Sequence, residues 1–493
     1  MIKSRFILEE AIAFRMKKVL LAAFESVPFI KTGGLADVIY ALPKAICGKK
    51  YNVRVVIPLH KSIKEAYKNE LKYLDKVSVI TPCFDDEALI YYYKNEKIDY
   101  YFIENDKYFN RDSVYGYDDD KYRFSFFCFA VVEMLKKLEY YPDIIQSNDY
   151  HTALLPAICK FLYKRNKNIR NIKHIFTIHN LVFQGHYDKS IVNELGFNYR
   201  DFENGTLRFN DECNFMKIGI TLADKIITVS NTYANEIQTS YFGQGLDTVL
   251  KYRKDDLLGI TNGIDTKLFD PKSDEMIYQN YDNHSFVGGK KENKKQLLNS
   301  FKLKDDGSML IGIISRLTYQ KGFDLFLDNY HEILKKNVKL IIIGSGETKY
   351  EYSFKMMEKE YPDKVRFVCG YDEKLAHRVY AGCDLFLMPS LFEPCGLSQL
   401  ISMRYGTLPL VRETGGLVET VKPYNEYEKT GWGFSFGPYN SYDMLIVFNL
   451  AYKTYMENKN DYKMLIRNAM KQDVSFKRVK ADYEKLYDEV TRC

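Results

Sequence analysis

The chain lacks a disulfide framework. Its nine cysteines (47, 83, 128, 159, 213, 369, 383, 395 and 493) include no C-x-x-C pair and no even spacing, and several sit inside apolar runs. They read as reduced thiols of a cytosolic protein rather than staples of a secreted one. Long Lys/Arg runs are also missing: 71 basic and 65 acidic residues leave a net charge of only +6. That excludes the electrostatic footprint of a nucleic-acid or lipid-surface binder and suits a neutral or small anionic substrate. No apolar run approaches the roughly 20 residues of a membrane helix. The stretch Lys17-Lys18 followed by Val19 to Phe24 is short for a signal-peptide core and is closed by Glu25, so a buried first strand is expected there. Residues 1–15 read as an appended segment, and Glu9 and Glu10 argue against a transit peptide.

What is present is length and a repeating pattern. A chain of 493 residues with 46% hydrophobic content exceeds one ordinary core. Short β-branched runs alternate with helical segments, the signature of a parallel sheet with crossover helices, so the class is α/β. In the first series the expected strands are 19–24, 53–58, 98–103, 143–146, 174–178 and 225–229, with helices over 122–138 and 152–163. A second series follows the Thr261-Asn262-Gly263 turn, at 309–314, 338–343, 365–368, 384–388 and 408–411. The reading gives a first domain over 1–258, a second over 259–472, and a C-terminal helix over 473–493 that packs back on the first domain.

In open parallel sheets ligands bind beyond the carboxyl ends of strands, so the loops after strands are the place to look for chemistry. The first such loop runs from Glu25 through Lys31 and Thr32 to Gly33 and Gly34 and opens a helix with Leu35, Val38, Ile39 and Leu42 on one face. It fits a phosphate cradle, or equally a turn with a solvated lysine. It is not a Walker loop, because the Lys-Thr pair precedes the glycines. Pro43 is expected to kink the helix. After the first strand of the second series, Ser315-Arg316 and Lys321-Gly322 offer a guanidinium fork and a point charge to a diphosphate. Taken alone, they are also two solvated cations near a helix start.

Glu393, in Pro389-Ser-Leu-Phe-Glu-Pro-Cys395-Gly396-Leu397, is a carboxylate among apolar neighbours where a strand gives way to a helix, suited to sugar hydroxyls. A helix N-terminal acid is its plain alternative. Thr414-Gly415-Gly416 repeats the glycine-pair pattern, with Gly344-Ser345-Gly346 a weaker version. Two histidines follow strands: His151 after Asn148 and Asp149, and His179 beside Asn180 and Gln184-Gly185. Of these, His179 has the polar setting of a sugar-contacting loop. Neither is spaced as a metal ligand, and no metal site is expected.

Together, the segments Lys31-Thr-Gly-Gly-Leu-Ala-Asp37, His179-Asn180, Asn262-Gly-Ile-Asp265, Ser315-Arg316 with Lys321-Gly322, Phe392-Glu393-Pro-Cys395-Gly396-Leu397 and Thr414-Gly-Gly-Leu resemble bacterial glycogen synthases and plant starch synthases, from about Met16 to the C-terminus. The resemblance implies a GT-B fold: two Rossmann-like domains whose parallel sheets face an interdomain cleft. It implies transfer of glucose from ADP-glucose to the non-reducing end of an α-1,4-glucan with retention of configuration. No metal and no cofactor is implied, ADP-glucose being a substrate, and neither nucleic acid nor membrane is an expected partner. Carried over by position, Lys31, Arg316 and Lys321 neutralise the ADP phosphates, aided by backbone near Gly33, Gly34, Thr414, Gly415 and Gly416. Glu393 and His179 hold glucose hydroxyls, and Asn262 contacts donor sugar or phosphate. Glu25, Asp37, Asp149 and Tyr371 match further donor or acceptor positions, and Cys395, Gly396 and Leu397 complete the Glu393 motif. Ile401 stands where many retaining glycosyltransferases carry a second glutamate, which weakens any statement about ribose contacts. The expected location is the cytoplasm, or a plastid if the source is eukaryotic. Related transferases that make sucrose or trehalose, a glucan phosphorylase needing pyridoxal phosphate, and an inactive glycan-binding protein are the rival readings.

Overall fold

The computed structural model describes residues 16–492, so the expectation for residues 1–15 lies outside it. The described chain forms two compact units. The first runs to Val229, resumes over Ala234–Ile260 and takes back the chain from Val479 onward; the second comprises Ser230–Tyr233 and Thr261–Arg478.

Strands in chain order are Lys17–Ala22 (β1), Tyr51–Pro58 (β2), Lys72–Thr81 (β3), Phe84–Asn95 (β4), Ile98–Glu104 (β5), Ile144–Asn148 (β6), Lys173–Ile178 (β7), His186–Asp188 (β8), Arg208–Phe209 (β9), Glu212–Asn214 (β10), Lys225–Thr228 (β11), Leu257–Gly259 (β12), Met309–Ile314 (β13), Val338–Gly344 (β14), Val365–Cys369 (β15), Leu385–Met388 (β16), Leu408–Arg412 (β17) and Phe434–Phe436 (β18). The first unit carries a sheet in the order β12-β11-β7-β6-β1-β2-β5-β4-β3. From β12 to β5 every pairing is parallel. The second unit carries β15-β14-β13-β16-β17-β18, parallel throughout. Strands covered on both faces read as near-continuous apolar runs, and β13 and β14 are buried along their whole length, with Lys339 of β14 paired to Asp306 at 2.7 Å.

Two departures from the sequence reading have physical causes. The antiparallel hairpin of β3 and β4, which extends the first sheet past β5, was not anticipated. Its segments alternate, with Val77, Val79, Ala88 and Ile90 buried while Lys76, Ser78 and Ile80 face out, so they lack the continuous apolar run of a central strand. The helix expected over 152–163 is broken into a 3-10 turn at Tyr150–Thr152, one α-turn at Leu155–Ala157 and a π-turn at Ile158–Leu162. Pro156, in the α-turn, has no amide to give the ladder. Pro43 falls in the last turn of the helix Gly34–Ile46, which continues past it by three residues.

After Arg478 the chain returns to the first unit as the helix Lys480–Arg492. Its buried face is Tyr483, Leu486, Tyr487 and Val490, an i, i+3, i+4, i+7 stripe. Asp488 receives Lys17 at 2.8 Å and the Tyr51 hydroxyl at 2.7 Å, and the fully buried Tyr487 hydroxyl donates to Gln146 Oε1 at 2.7 Å. Tyr487→Phe leaves Gln146 Oε1 without that donor and is expected to cost about 1–2 kcal/mol, read as a lower urea midpoint. No helix of the described residues is long and apolar enough to cross a membrane.

Candidate functional site

Each sheet reverses its strand order at one point: between β1 and β6 in the first unit, and between β13 and β16 in the second. Loops diverge there beyond the carboxyl ends of the strands, which leaves room for a ligand. Most of the polar residues singled out from the sequence lie on loops at or beside these two points, Asn262 after β12 and Tyr371 after β15 being exceptions.

In the first unit three neighbouring strands contribute. After β1, the buried Glu25 accepts the Thr32 N–H, and Lys31 lies 2.8 Å from Asp37 in the first turn of the following helix. Gly33 is in extended backbone that any residue adopts, and a Cβ there would reach only to 3.9 Å of Glu25 Oε1. No strain therefore demands a glycine at this position; its effect is to keep the space above Glu25 open. After β6, Asp149 takes φ +57° and its Oδ1 accepts the N–H of His179 at 2.7 Å and that of Asn180 at 3.4 Å. After β7, the His179 ring rests its Nε2 on Asn148 Oδ1 at 2.9 Å.

Burial pushes the carboxyls of Glu25 and Asp149 up to about 7; the negative charge of Glu25 adds to the rise at Asp149, and that of Asp37 adds to the rise at Glu25. Burial likewise lowers His179 to about 3, so its ring is neutral near pH 7. A carboxyl raised by burial favours the folded state while protonated, and that contribution fades as pH rises through its folded value. Glu25→Gln is therefore expected to stabilise the protein at about pH 8 relative to wild type and to leave it near wild type at about pH 4, measured by urea denaturation at both. His151, which shared the sequence argument with His179, is a different case. It is buried and stacked on Tyr115 with ring centroids 4.6 Å apart, the mark of a core ring.

In the second unit the loops after β13, β16 and β17 interlock. Lys321 Nζ lies 2.6 Å from Glu393 Oε2, and the Ser390 hydroxyl donates to the same oxygen at 3.1 Å. The two loops are tied together: the Leu391 N–H donates to the Gln320 carbonyl, and the Gln320 side-chain Nε2 donates to the Phe392 carbonyl. Gly322, at φ +67°, lets this crossing happen, because a Cβ there would fall 2.0 Å from the Pro389 carbonyl. Arg316 is exposed at the end of β13, and its guanidinium has no partner among the described residues. Gly344 and Gly346 flank that loop from β14; side chains there would strike the Ser315 and Leu317 carbonyls.

The pair Gly415-Gly416 acts as a close-packing device. A Cβ on Gly415 would fall 1.9 Å from the Glu393 carbonyl, and one on Gly416 would fall 2.4 Å from that of Cys395. The Gly416 N–H is engaged with the carbonyls of Glu393 and Pro394 at 3.2 Å each, so the sequence expectation that it faces a phosphate does not hold as such. Gly396, at φ +74°, turns the chain into the helix Ser398–Arg404, with Leu397 just ahead of it; Cys395 is buried and its thiol is pushed up to about 12. Thr414 is buried at the head of the glycine pair. Asn262 is buried beyond β12, its carbonyl accepting Arg478 at 2.8 Å, while its side-chain Oδ1 has no partner among the described residues. A buried acceptor left open in this way suits a ligand hydroxyl or amine. Tyr371 follows Gly370 after β15 and is 63% exposed.

Residues the sequence reading passed over are Asn148, Ser390 and Gln320. Each is a small polar residue beside a chosen one, and position next to a candidate at a strand's end was the available signal.

Comparison with known proteins agrees across the whole length. The family described as the starch synthase catalytic domain matches residues 18–252, and glycosyl transferases group 1 matches residues 280–472. The chain is 44% identical over 477 residues to a glycogen synthase of Clostridium beijerinckii, covering 96% of this chain and 99% of that protein. It is 43% identical to a glycogen synthase of Clostridioides difficile, with 96% and 99% covered. Among solved structures, the catalytic domain of starch synthase IV from Arabidopsis thaliana, bound to ADP and acarbose, superimposes with a TM-score of 0.91 at 30% identity, covering 97% of this chain and 100% of that one. A sucrose-phosphate synthase from Thermosynechococcus elongatus matches at a TM-score of 0.59 and 13% identity, covering 97% and 99%, which speaks to the fold alone.

Proposed function

The chain belongs to the family of bacterial glycogen synthases and plant starch synthases, with the GT-B fold, and on that footing we propose how its residues carry out the family's reaction. It is a retaining glucosyltransferase that moves glucose from ADP-glucose to the non-reducing end of an α-1,4-glucan. The observation that carries the residue assignment is the Lys321–Glu393 pair, held at the carboxyl ends of adjacent strands' loops by Ser390 and Gln320.

When the bond between glucose C1 and the phosphate oxygen breaks, negative charge grows on ADP and positive charge on the sugar. Arg316 and Lys321 absorb the first, Lys321 as a cation already held in place by Glu393. Lys31 adds to them, with main-chain groups around Gly33, Gly34, Thr414 and Gly415 lining the donor, and Cys395, Gly396 and Leu397 shaping the turn behind it. Glu393 and His179 receive glucose hydroxyls, and the open Asn262 Oδ1 takes a donor group of the nucleotide sugar. Glu25, Asp37, Asp149 and Tyr371 serve the donor and acceptor. The acceptor 4-hydroxyl attacks C1 on the face the phosphate leaves, and its proton passes to the departing phosphate oxygen, so no carboxylate nucleophile is required. The chemistry uses no cofactor. Free buried thiols at Cys128, Cys159, Cys213, Cys383 and Cys395 suit a reducing compartment, and the proposed location is the cytoplasm.

The test is incorporation of labelled glucose into glycogen from ADP-glucose and from UDP-glucose in parallel. ADP-glucose is expected to support the higher kcat/KM. Release of free glucose without incorporation would overturn the reading.

A further inference from the structure

Asn148, at the last position of β6, is fully buried and makes three side-chain hydrogen bonds. Its amide nitrogen donates to the main-chain carbonyl of Ala22 at 3.0 Å and to that of Gln146 at 3.2 Å. Its Oδ1 faces His179 Nε2 at 2.9 Å. Rotating the amide by half a turn would set an oxygen against two carbonyl oxygens, so those carbonyls fix which end of the amide meets the ring. An oxygen can only accept; the nitrogen opposite it must therefore carry the proton. The ring is neutral, which leaves Nδ1 with a lone pair and no hydrogen. Nδ1 has no partner among the described residues. The main chain on both sides of this contact is anchored: the His179 N–H donates to Asp149 Oδ1 at 2.7 Å, and the Asn148 N–H donates to the Thr152 hydroxyl at 2.6 Å.

We propose that Asn148 is a positioning residue that holds the His179 imidazole as its Nε2–H tautomer, presenting Nδ1 as a hydrogen-bond acceptor to a glucose hydroxyl. The substrate half of this rests on the reading of His179 as a sugar contact; the tautomer half does not. The consequence is selective: the sugar hydroxyl at this point must donate its proton, so an analogue in which fluorine replaces that hydroxyl loses the bond although its shape is kept. The opposite tautomer would offer an N–H and accept such an analogue.

The test is a long-range proton–nitrogen correlation spectrum of the full chain labelled with nitrogen-15 histidine at neutral pH, with the His179 signal assigned by its loss in His179→Gln. The expected result is a protonated Nε2 and an unprotonated Nδ1 in the wild type. In Asn148→Ala the ring is expected to become a mixture of tautomers, and kcat/KM for ADP-glucose to fall about 10- to 100-fold while the affinity for ADP alone holds. A wild-type ring protonated on Nδ1, or an Asn148→Ala protein with unchanged tautomer and unchanged kcat/KM, would overturn the proposal. Should the alanine variant fail to fold, the wild-type spectrum still decides. If the wild type shows the Nε2–H ring but transfers no glucose, the functional reading falls and the tautomer assignment stands.

Discussion

Lys321→Ala is expected to lower kcat for glucosyl transfer by about 100- to 1,000-fold, the loss seen when one preorganised group facing developing charge is removed. The same change leaves Glu393, whose side chain is 8% exposed, with the Ser390 hydroxyl as its remaining side-chain partner among the described residues. A buried carboxylate stripped of its cation destabilises a protein by on the order of 3 kcal/mol. The two effects separate in the double variant Lys321→Ala/Glu393→Gln, which removes the uncompensated charge. Part of the stability is expected to return, while kcat is not. Steady-state kinetics and urea midpoints of the single and double variants check this. A Lys321→Ala protein with wild-type kcat would remove the cation from the mechanism.

A larger structural effect is expected from a single methyl group at Gly415. That residue sits at φ +48°, ψ −134°, a conformation left almost wholly to glycine, and its Cβ position lies 1.9 Å from the Glu393 carbonyl. The obstruction is main chain, with no side chain able to swing aside, so Gly415→Ala must move the segment that carries Glu393. A misplacement of about 1 Å at a positioned group costs about 100-fold in rate, and that is the minimum loss expected here. Gly307→Ala is the matched control. It also has a positive φ, +81°, but nothing lies within 4 Å of its Cβ position. It is expected to lose about 1 kcal/mol of stability from the backbone alone and to keep its activity. Equal activity losses in the two variants would contradict the packing argument.

Much of this arrangement was legible in the sequence because parallel strands announce themselves. Met309–Ile314 is found where the apolar run stands, and Lys173–Ile178 begins one residue before the expected start. The rule that chemistry follows strands pointed to the loops holding His179, Arg316, Glu393 and Thr414 without any knowledge of contacts, whereas roles for Glu25 and Asp149 came only with the family resemblance. What the sequence does not carry is pairing across distance. Lys321 and Glu393 are 72 residues apart, and whether they meet depends on β13 and β16 being neighbours, which is a fact of strand order. The same holds for Glu25 and Asp149, brought together because β1 lies beside β6. The glycines were legible as places of close approach, but not what approaches them. Gly33 was read as a place where the backbone can approach an anion, and its Cβ position meets only Glu25 Oε1 at 3.9 Å, whereas Gly415 and Gly322 are pressed against main chain. The hairpin of β3 and β4 escaped because half-exposed alternation around Lys76 and Glu87, an ion pair at 2.8 Å, resembles polar surface.

The central claim is that the protein transfers glucose with retention to the 4-hydroxyl at the end of an α-1,4-glucan. The most direct measurement is a proton NMR record of the products formed from ADP-glucose and a short maltooligosaccharide. The account predicts stepwise lengthening by new α-1,4 linkages at the non-reducing end. New β linkages, which would mean inversion at C1, would contradict it.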